Sequence, residues 1–139
     1  MTAHWETLDG RKLYRAEVSQ HHLFFASRDY HTPLEKKFRQ MGGSIVLLAN
    51  QAHRELHANV EPPHKPNPDL MRDIYLHART REYEDSYDLF NQIAQYVGGV
   101  ATSFQCDRNV QDANLLYPNL VAQAAYIEQG RLTLVKAAA

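Results

Sequence analysis

The amino-acid sequence predicts an α+β domain, with short strands in its first half and helices in its second. The run SIVLLA, residues 44–49, is short, apolar and rich in branched side chains, which is typical of a buried strand. After residue 67, helix-start and helix-stop residues enclose segments with helical spacing of apolar side chains. The chain has 139 residues, 44% hydrophobic and 22% charged, which is enough for one folded domain with a core.

The first part of the chain carries a strand signal followed by a helix signal. LYRAEVS, residues 13–19, alternates loosely and leads into Gln20-His21-His22, so we expect a strand that ends at the two histidines. Residues 31–43 begin with a capping threonine, a proline and a capping-box glutamate, and they end at two glycines. This pattern predicts a helix.

A second strand and helix are expected next. The apolar run 44–49 predicts the strand, and Asn50 directly after it is a residue that commonly caps a helix. We therefore predict that Asn50 caps a helix containing residues 51–57, with His53 and His57 on one face.

The second half of the chain is predicted to be mostly helical. Asn67-Pro68-Asp69 places a cap, a proline and a first-turn acid in the order that begins a helix. Gly98-Gly99 are expected to end the following helix, and Pro118 is expected to interrupt the last one, which Gly130 closes. In order, we predict a proline-rich connector over 61–68, helices over 69–79, 86–97 and 110–129, and a short strand over 132–135.

The composition limits the classes of protein that the chain can belong to. Cys106 is its one cysteine, so neither an intramolecular disulfide nor a zinc site of paired cysteines can form. No apolar run is long enough for a membrane span, and no apolar signal core follows the first residues. We therefore expect a cytoplasmic protein without membrane contact. A net charge of −1 does not indicate a broad electrostatic surface for nucleic acid.

The histidines are unevenly distributed along the chain. Histidine is the commonest metal ligand among side chains, and its pKa lies closest to neutral pH. This clustering directs the search for chemistry to the first half of the chain. Six of the eight histidines lie between positions 21 and 64: His21, His22, His31, His53, His57 and His64.

The motif HRELH, residues 53–57, places two histidines four positions apart. On a helix such a pair can bind zinc, and metalloproteases have a glutamate directly after the first histidine. Arg54 occupies that position here, so a protease of that kind is not predicted. Taken alone, the pair is also typical of a helix surface or cap.

Together with His21-His22, the segment SIVLLANQAHRELH (44–57) resembles the HNH nuclease motif, the ββα-metal fold. The version that it resembles most is that of the colicin-type DNases, which has a His-His pair, a helical His-x-x-x-His pair and no cysteines. The resemblance covers roughly residues 15–60. The matching positions are His21 and His22, the apolar residues Ile45, Val46, Leu48 and Leu56, and the helical histidines His53 and His57.

The resemblance implies a role for each matching residue. His21, His53 and His57 would hold one divalent metal ion, such as zinc, magnesium, manganese or nickel. His22 would be the general base that accepts a proton from the attacking water. Ser44 stands where the family has an asparagine that braces the loop and holds the base, and a serine keeps only part of that hydrogen bonding. The implied function is a metal-dependent endonuclease or nickase that hydrolyses DNA phosphodiester bonds.

The chemistry of these residue types agrees with such roles. Three neutral imidazoles leave an open position on a divalent ion for a phosphate oxygen. An imidazole beside the ion has an ordinary pKa suited to general-base work near neutrality. Basic side chains nearby are candidates for phosphate contacts, although such residues are equally typical of a solvated helix face. These candidates are Arg28, Lys36, Lys37, Arg39 and Arg54.

Two further hypotheses belong to other classes. The chain can be a catalytically inactive HNH scaffold, an accessory or inhibitory protein from a phage or mobile element, that binds DNA or a protein partner. It can also be a structural helical protein whose histidines are incidental. In the preferred interpretation, residues 1–60 form the HNH-like ββα-metal region, 61–68 connect, and 69–139 form a helical portion packed on it that offers a surface for a protein partner.

Overall fold

This computed structural model describes residues 3–23, 33, 36–37, 45–63, 66–103 and 107–135. Two small antiparallel sheets, a 3₁₀ helix and four α-helices have their bounds within these residues. The α+β class predicted from the sequence is therefore confirmed. In chain order the elements are β1 (His4–Glu6), β2 (Lys12–Leu13), a 3₁₀ helix (Arg15–Glu17), β3 (Val18–His22), β4 (Ile45–Ala49), α1 (Asn50–Asn59), α2 (Pro68–Arg79), α3 (Ser86–Ala101), α4 (Arg108–Gln129) and β5 (Thr133–Val135).

One sheet joins the two ends of the described chain, with strand order β2-β1-β5. Trp5 in β1 pairs with Leu13 on one side and with Leu134 on the other. The predicted strand over 132–135 is confirmed, whereas β1 was not predicted because three residues are too few to display an alternating pattern.

The second sheet consists of β3 and β4 and carries the first part of the candidate site. Val46 and Leu48 alternate with less buried neighbours and are fully buried, as expected for a strand that covers a core. The predicted strand over 44–49 is confirmed across Ile45–Ala49. The predicted strand over 13–19 is partly wrong, because the 3₁₀ helix separates β2 from β3, and β3 begins only at Val18.

Helix α1 follows β4 without a connecting loop. The prediction that Asn50 caps this helix is wrong, since Ala49 is the N-cap and Asn50 is the first helical residue. The Asn50 amide instead donates to the carbonyl of Ala16 at 2.9 Å, and its oxygen bonds the Ser19 hydroxyl. Asn50 therefore ties the start of α1 to the start of β3.

The start of α2 agrees with the sequence. The Asn67 side chain accepts a hydrogen bond from the Leu70 amide at 2.9 Å, and Pro68 occupies the first helical position.

The predictions that Gly98-Gly99 end α3 and that Pro118 interrupts α4 are wrong, whereas Gly130 closes α4 as predicted. Gly98 and Gly99 lie inside α3, which ends at Ala101. Gly98 packs against the ring of Tyr117 on α4, and a Cβ atom at this position would lie 2.8 Å from that ring. Pro118 lies inside α4 without ending it, on the exposed side of the helix, where water can bond the carbonyl that lost its amide partner.

A single hydrophobic core runs through both halves of the chain. Its fully buried members include Leu48 of β4, Ile74 of α2, Phe90 of α3 and Leu120 of α4, together with Leu56 of α1. The helical portion thus packs directly on the β3-β4-α1 unit. No helix among the described residues is both long enough and apolar enough to cross a bilayer.

The predicted helix over 31–43 falls mostly outside the described residues. Within it, only Pro33, Lys36 and Lys37 are described, and all three are helical and exposed.

Candidate metal centre

Three histidines from β3 and α1 lie together where α1 packs on the small sheet. The strand register pairs His21 with Val46, and α1 packs on both strands immediately after β4 ends. The ring centroid of His21 lies 5.1 Å from that of His53 and 5.3 Å from that of His57. One potential ligand atom from each residue lies within 4.8 Å of the other two, so the three histidines are close enough to hold a metal ion.

His53 and His57 face each other across one turn of α1. Their ring centroids are 4.5 Å apart, and the two Nε2 atoms are separated by 2.8 Å. Residues four apart on a helix are neighbours on its surface, so the i, i+4 spacing alone brings these rings together. The short distance requires that no more than one of the two Nε2 atoms carries a proton.

His21 is the buried member of the group, with 3% of its surface exposed. Its Nε2 lies 2.7 Å from Oε1 of Gln123, a residue of α4 that is itself buried. Its Nδ1 is buried and has no hydrogen-bond partner among the described residues. A buried polar atom without a partner is uncommon in folded proteins, and a bound ion or water is a usual partner for such an atom.

The electrostatics of the site favour neutral imidazoles. Burial, opposed by the hydrogen bond to Gln123, lowers the pKa of His21 from 6.5 to about 4. Burial, followed by the charges of His57 and His22, lowers the pKa of His53. Both residues therefore keep a neutral ring at pH 7, and neutral imidazole is the form that binds a metal.

His22 lies beside the three, on the opposite face of β3 from His21. It is partly buried, and its strand partner is Ile45. A charge on His22 lowers the pKa of both His21 and His53, so its ring is within electrostatic range of the group. The alternation of a strand thus separates a buried candidate ligand from a more accessible neighbour.

The donor set fits a divalent transition metal. Three imidazole nitrogens are suitable ligands for zinc, nickel or copper, and histidine is a common ligand of each. The unpartnered Nδ1 of His21 and the facing Nε2 atoms of His53 and His57 are donors that a cation would satisfy.

The other predicted site residues are placed only in part. Ser44, Arg28 and Arg39 lie outside the described residues. Lys36, Lys37 and Arg54 are exposed, and Arg54 directly follows His53 on α1.

Gln123 was not singled out from the sequence. It lies in register with the buried side chains of α4, between Leu120 and Ile127, at spacings of three and four residues. A polar residue in the apolar stripe of a predicted helix is a signal that the sequence offers, since buried amides need partners. The identity of the partner, 102 positions earlier, does not follow from that pattern.

Comparisons of the chain with protein-family models, with curated proteins and with solved structures gave no match.

Proposed function

We propose that this protein is a metal-dependent phosphodiesterase of the HNH type that cuts or nicks DNA. The observation that carries the proposal is the convergence of His21 from a strand with His53 and His57 from the following helix. The order strand, strand, helix and the histidine positions agree with those that the resemblance to the ββα-metal fold implies.

The number and exposure of the candidate ligands favour a catalytic metal site over a structural one. Structural zinc sites are usually closed by four protein ligands, whereas catalytic sites have three and keep one open position. Among the described residues, three candidate ligands converge, and the outermost, His57, is exposed to solvent. A phosphate group can therefore approach the site from the side of α1.

The chain's own residues would divide the work of hydrolysis. A divalent ion held here would stabilise the negative charge that develops on the phosphate and on the leaving oxygen. His22 would accept the proton of the attacking water, because its ring is within electrostatic range of His21 and His53 and it follows His21 directly on β3. Ser44, which precedes the strand partner of His22, would take part of the bracing role that an asparagine has in the family.

Basic residues on α1 and on the segment between β3 and β4 would position the DNA backbone. Arg54 is exposed on α1 beside His53, and Lys36 and Lys37 are exposed on the segment between β3 and β4. Together with Arg28 and Arg39 of that segment, they would contact phosphates without reading sequence.

A second candidate is an HNH scaffold that binds a metal and a partner but does not cleave. Ser44 in place of asparagine favours it, because a serine gives a catalytic base less support. The net charge of −1 favours it as well, since it offers little general attraction to nucleic acid.

A plasmid-nicking assay distinguishes the two candidates. Pure protein is incubated with supercoiled DNA and Mg²⁺, Mn²⁺, Ni²⁺ or Zn²⁺ in turn, beside His22→Ala and the control His77→Ala, in which the altered histidine lies on α2. We expect the wild type and His77→Ala to nick, and His22→Ala to lose cleavage while it binds metal as the wild type does. Wild-type protein that binds one equivalent of metal and cleaves with none of the four ions would reject the nuclease and support the scaffold.

A further inference from the structure

We propose that Gln123 is a positioning residue that fixes the tautomer of His21, so that the lone pair of His21 Nδ1 is held ready for a metal ion. This inference rests on the proposed metal site. It assigns a function to α4, which lies outside the part of the chain that resembles the HNH motif.

The orientation of the Gln123 amide follows from its acceptors. Its Nε2 donates to the carbonyl oxygen of Leu23 at 3.1 Å, and a carbonyl oxygen can only accept. The same Nε2 also donates to Oδ1 of Asn119, one turn earlier on α4. Both contacts place the amino group of Gln123 away from His21, so that the oxygen atom faces the ring.

The orientation of Asn119 is fixed in the same way. Its Nδ2 donates to the carbonyl oxygen of Glu61, so its oxygen must be the atom that faces Gln123. Two backbone carbonyls, those of Leu23 and Glu61, therefore determine the direction of every hydrogen bond in this chain of two amides. Reversing either amide would turn its oxygen toward a backbone carbonyl oxygen, so that two acceptors would face each other without a proton between them.

The orientation of the Gln123 amide determines the tautomer of His21. An amide oxygen at 2.7 Å accepts, so Nε2 of His21 must be the nitrogen that carries the proton. A neutral imidazole has a proton on one nitrogen only, and Nδ1 therefore keeps its lone pair. Nδ1 is also the buried atom for which no partner exists among the described residues. The atom without a partner is thus the one prepared to be a ligand.

Such an arrangement stabilises a metal ligand in two ways. The hydrogen bond to the nitrogen opposite the metal fixes the ring's orientation, and it removes the cost of selecting a tautomer on binding. Gln123 is 1% exposed, so its amide has no water to bond in place of His21. The loss of a partner of this kind typically lowers metal affinity by about 10–100-fold.

The test combines a tautomer measurement with a metal titration. Long-range ¹⁵N–¹H correlation spectra of the metal-free full chain report which nitrogen of His21 is protonated, and Zn²⁺ affinity is measured by competition with a chelator. Gln123→Met removes the acceptor at similar volume, Gln123→Glu keeps an acceptor toward His21, and Gln111→Met is the matched control on the exposed side of α4.

We expect the Nε2–H tautomer in the wild type, in Gln111→Met and in Gln123→Glu, and a mixture in Gln123→Met with Zn²⁺ affinity lowered about 10–100-fold. A wild type with the proton on Nδ1 would overturn the inference, and this measurement does not depend on whether any variant folds. Gln123→Met with unchanged tautomer and affinity would overturn it as well. If the wild type binds no Zn²⁺ but shows the expected tautomers, the metal site fails while the hydrogen-bond role of Gln123 holds.

Discussion

The Nε2 atoms of His53 and His57 are 2.8 Å apart, because one turn of α1 places the two side chains next to each other. In the metal-free protein, one of the two atoms must donate its proton to the other. With an ion bound, both would offer a lone pair, and each ring would carry its proton on Nδ1. The helix therefore holds two candidate ligands close together, and the buried His21 is the third residue of a group close enough to hold one metal ion.

Removal of the outermost ligand should abolish tight metal binding at little cost in stability. His57 is exposed, so His57→Gln leaves no cavity and breaks no core contact. We expect Zn²⁺ affinity to fall by more than about 100-fold, since outer-shell partners alone are worth about 10–100-fold. Isothermal titration calorimetry measures the affinity, and urea unfolding of the metal-free protein measures the stability.

The matched control for that variant is His77→Gln. His77 stacks on Tyr96 with ring centroids 4.2 Å apart, away from the three histidines. It should bind Zn²⁺ as the wild type does. Equal loss of affinity in both variants would indicate nonspecific binding to surface histidines.

The metal-free protein should lose stability as the pH falls from 6.5 to 4. His21 has a pKa of about 4 in the folded state and an ordinary value of 6.5 when unfolded. Between these values the unfolded chain binds a proton that the folded chain does not, so acid favours unfolding. The loss contributed by His21 at pH 4, relative to pH 7.5, amounts to about 3 kcal/mol. The lowered pKa of His53 acts in the same direction.

Urea unfolding at a series of pH values, with a chelator present, measures this dependence. The variant His21→Asn lacks the titrating group. Because only the wild type loses the contribution of His21 in acid, its advantage in free energy of unfolding over the variant should fall by about 3 kcal/mol from pH 7.5 to pH 4. A difference that stays constant with pH would mean that His21 titrates normally in the folded protein.

Elements with a strong local signal could be predicted from the sequence. The run of branched residues before Asn50 predicted β4, and the Asn67-Pro68-Asp69 pattern predicted the start of α2. The pairing of His21 with the helical histidines was predictable only through the resemblance to a known motif, because spacing along the chain does not determine contacts between distant segments. At Asn50 and Gly98, contacts with other elements outweighed the local preference of the residue. At Pro118 the exposed position allows the helix to continue, because water can bond the carbonyl that lost its amide partner.

Gly130, directly after α4, should be essential for the close packing of this end of α4 on α1, the helix that carries His53 and His57. A Cβ atom there would lie 2.8 Å from Cβ of Ala52 and 3.1 Å from Leu48, and Ala52 is attached to the α1 backbone. We expect Gly130→Ala to lower the free energy of unfolding by about 1–3 kcal/mol through overpacking.

Gly99→Ala is the control for this substitution. Gly99 is exposed within α3, and nothing lies within 4 Å of a Cβ atom built on it. The greater helix propensity of alanine should raise stability by about 0.5–1 kcal/mol. Thermal and urea unfolding of both variants measure the two effects, and a neutral or stabilising Gly130→Ala would refute the packing argument.

If the protein binds DNA through the exposed residues beside the metal centre, Arg54 should contribute in a way that depends on salt. Affinity for DNA falls as salt rises, and the slope of log affinity against log salt becomes less steep by about 1 when one contact between a cationic side chain and a phosphate is removed. We expect this of Arg54→Gln in fluorescence-anisotropy titrations, with affinity reduced for all DNA sequences alike. Arg72→Gln, on α2 where Arg72 pairs with Asp69 at 3.6 Å, should leave the slope unchanged. Identical slopes in all three proteins would exclude Arg54 from the interface.

The direct test of the metal centre is X-ray absorption spectroscopy on wild-type protein loaded with one equivalent of Zn²⁺ and then dialysed. The account predicts retention of one zinc per chain, with three imidazole nitrogens at about 2.0–2.1 Å from the metal. His57→Gln, in which Zn²⁺ affinity should fall by more than about 100-fold, should retain little zinc after the same dialysis. Zinc that dialyses away from the wild type, or that is retained with an unchanged coordination shell in His57→Gln, would contradict the claim that these three histidines bind a single ion.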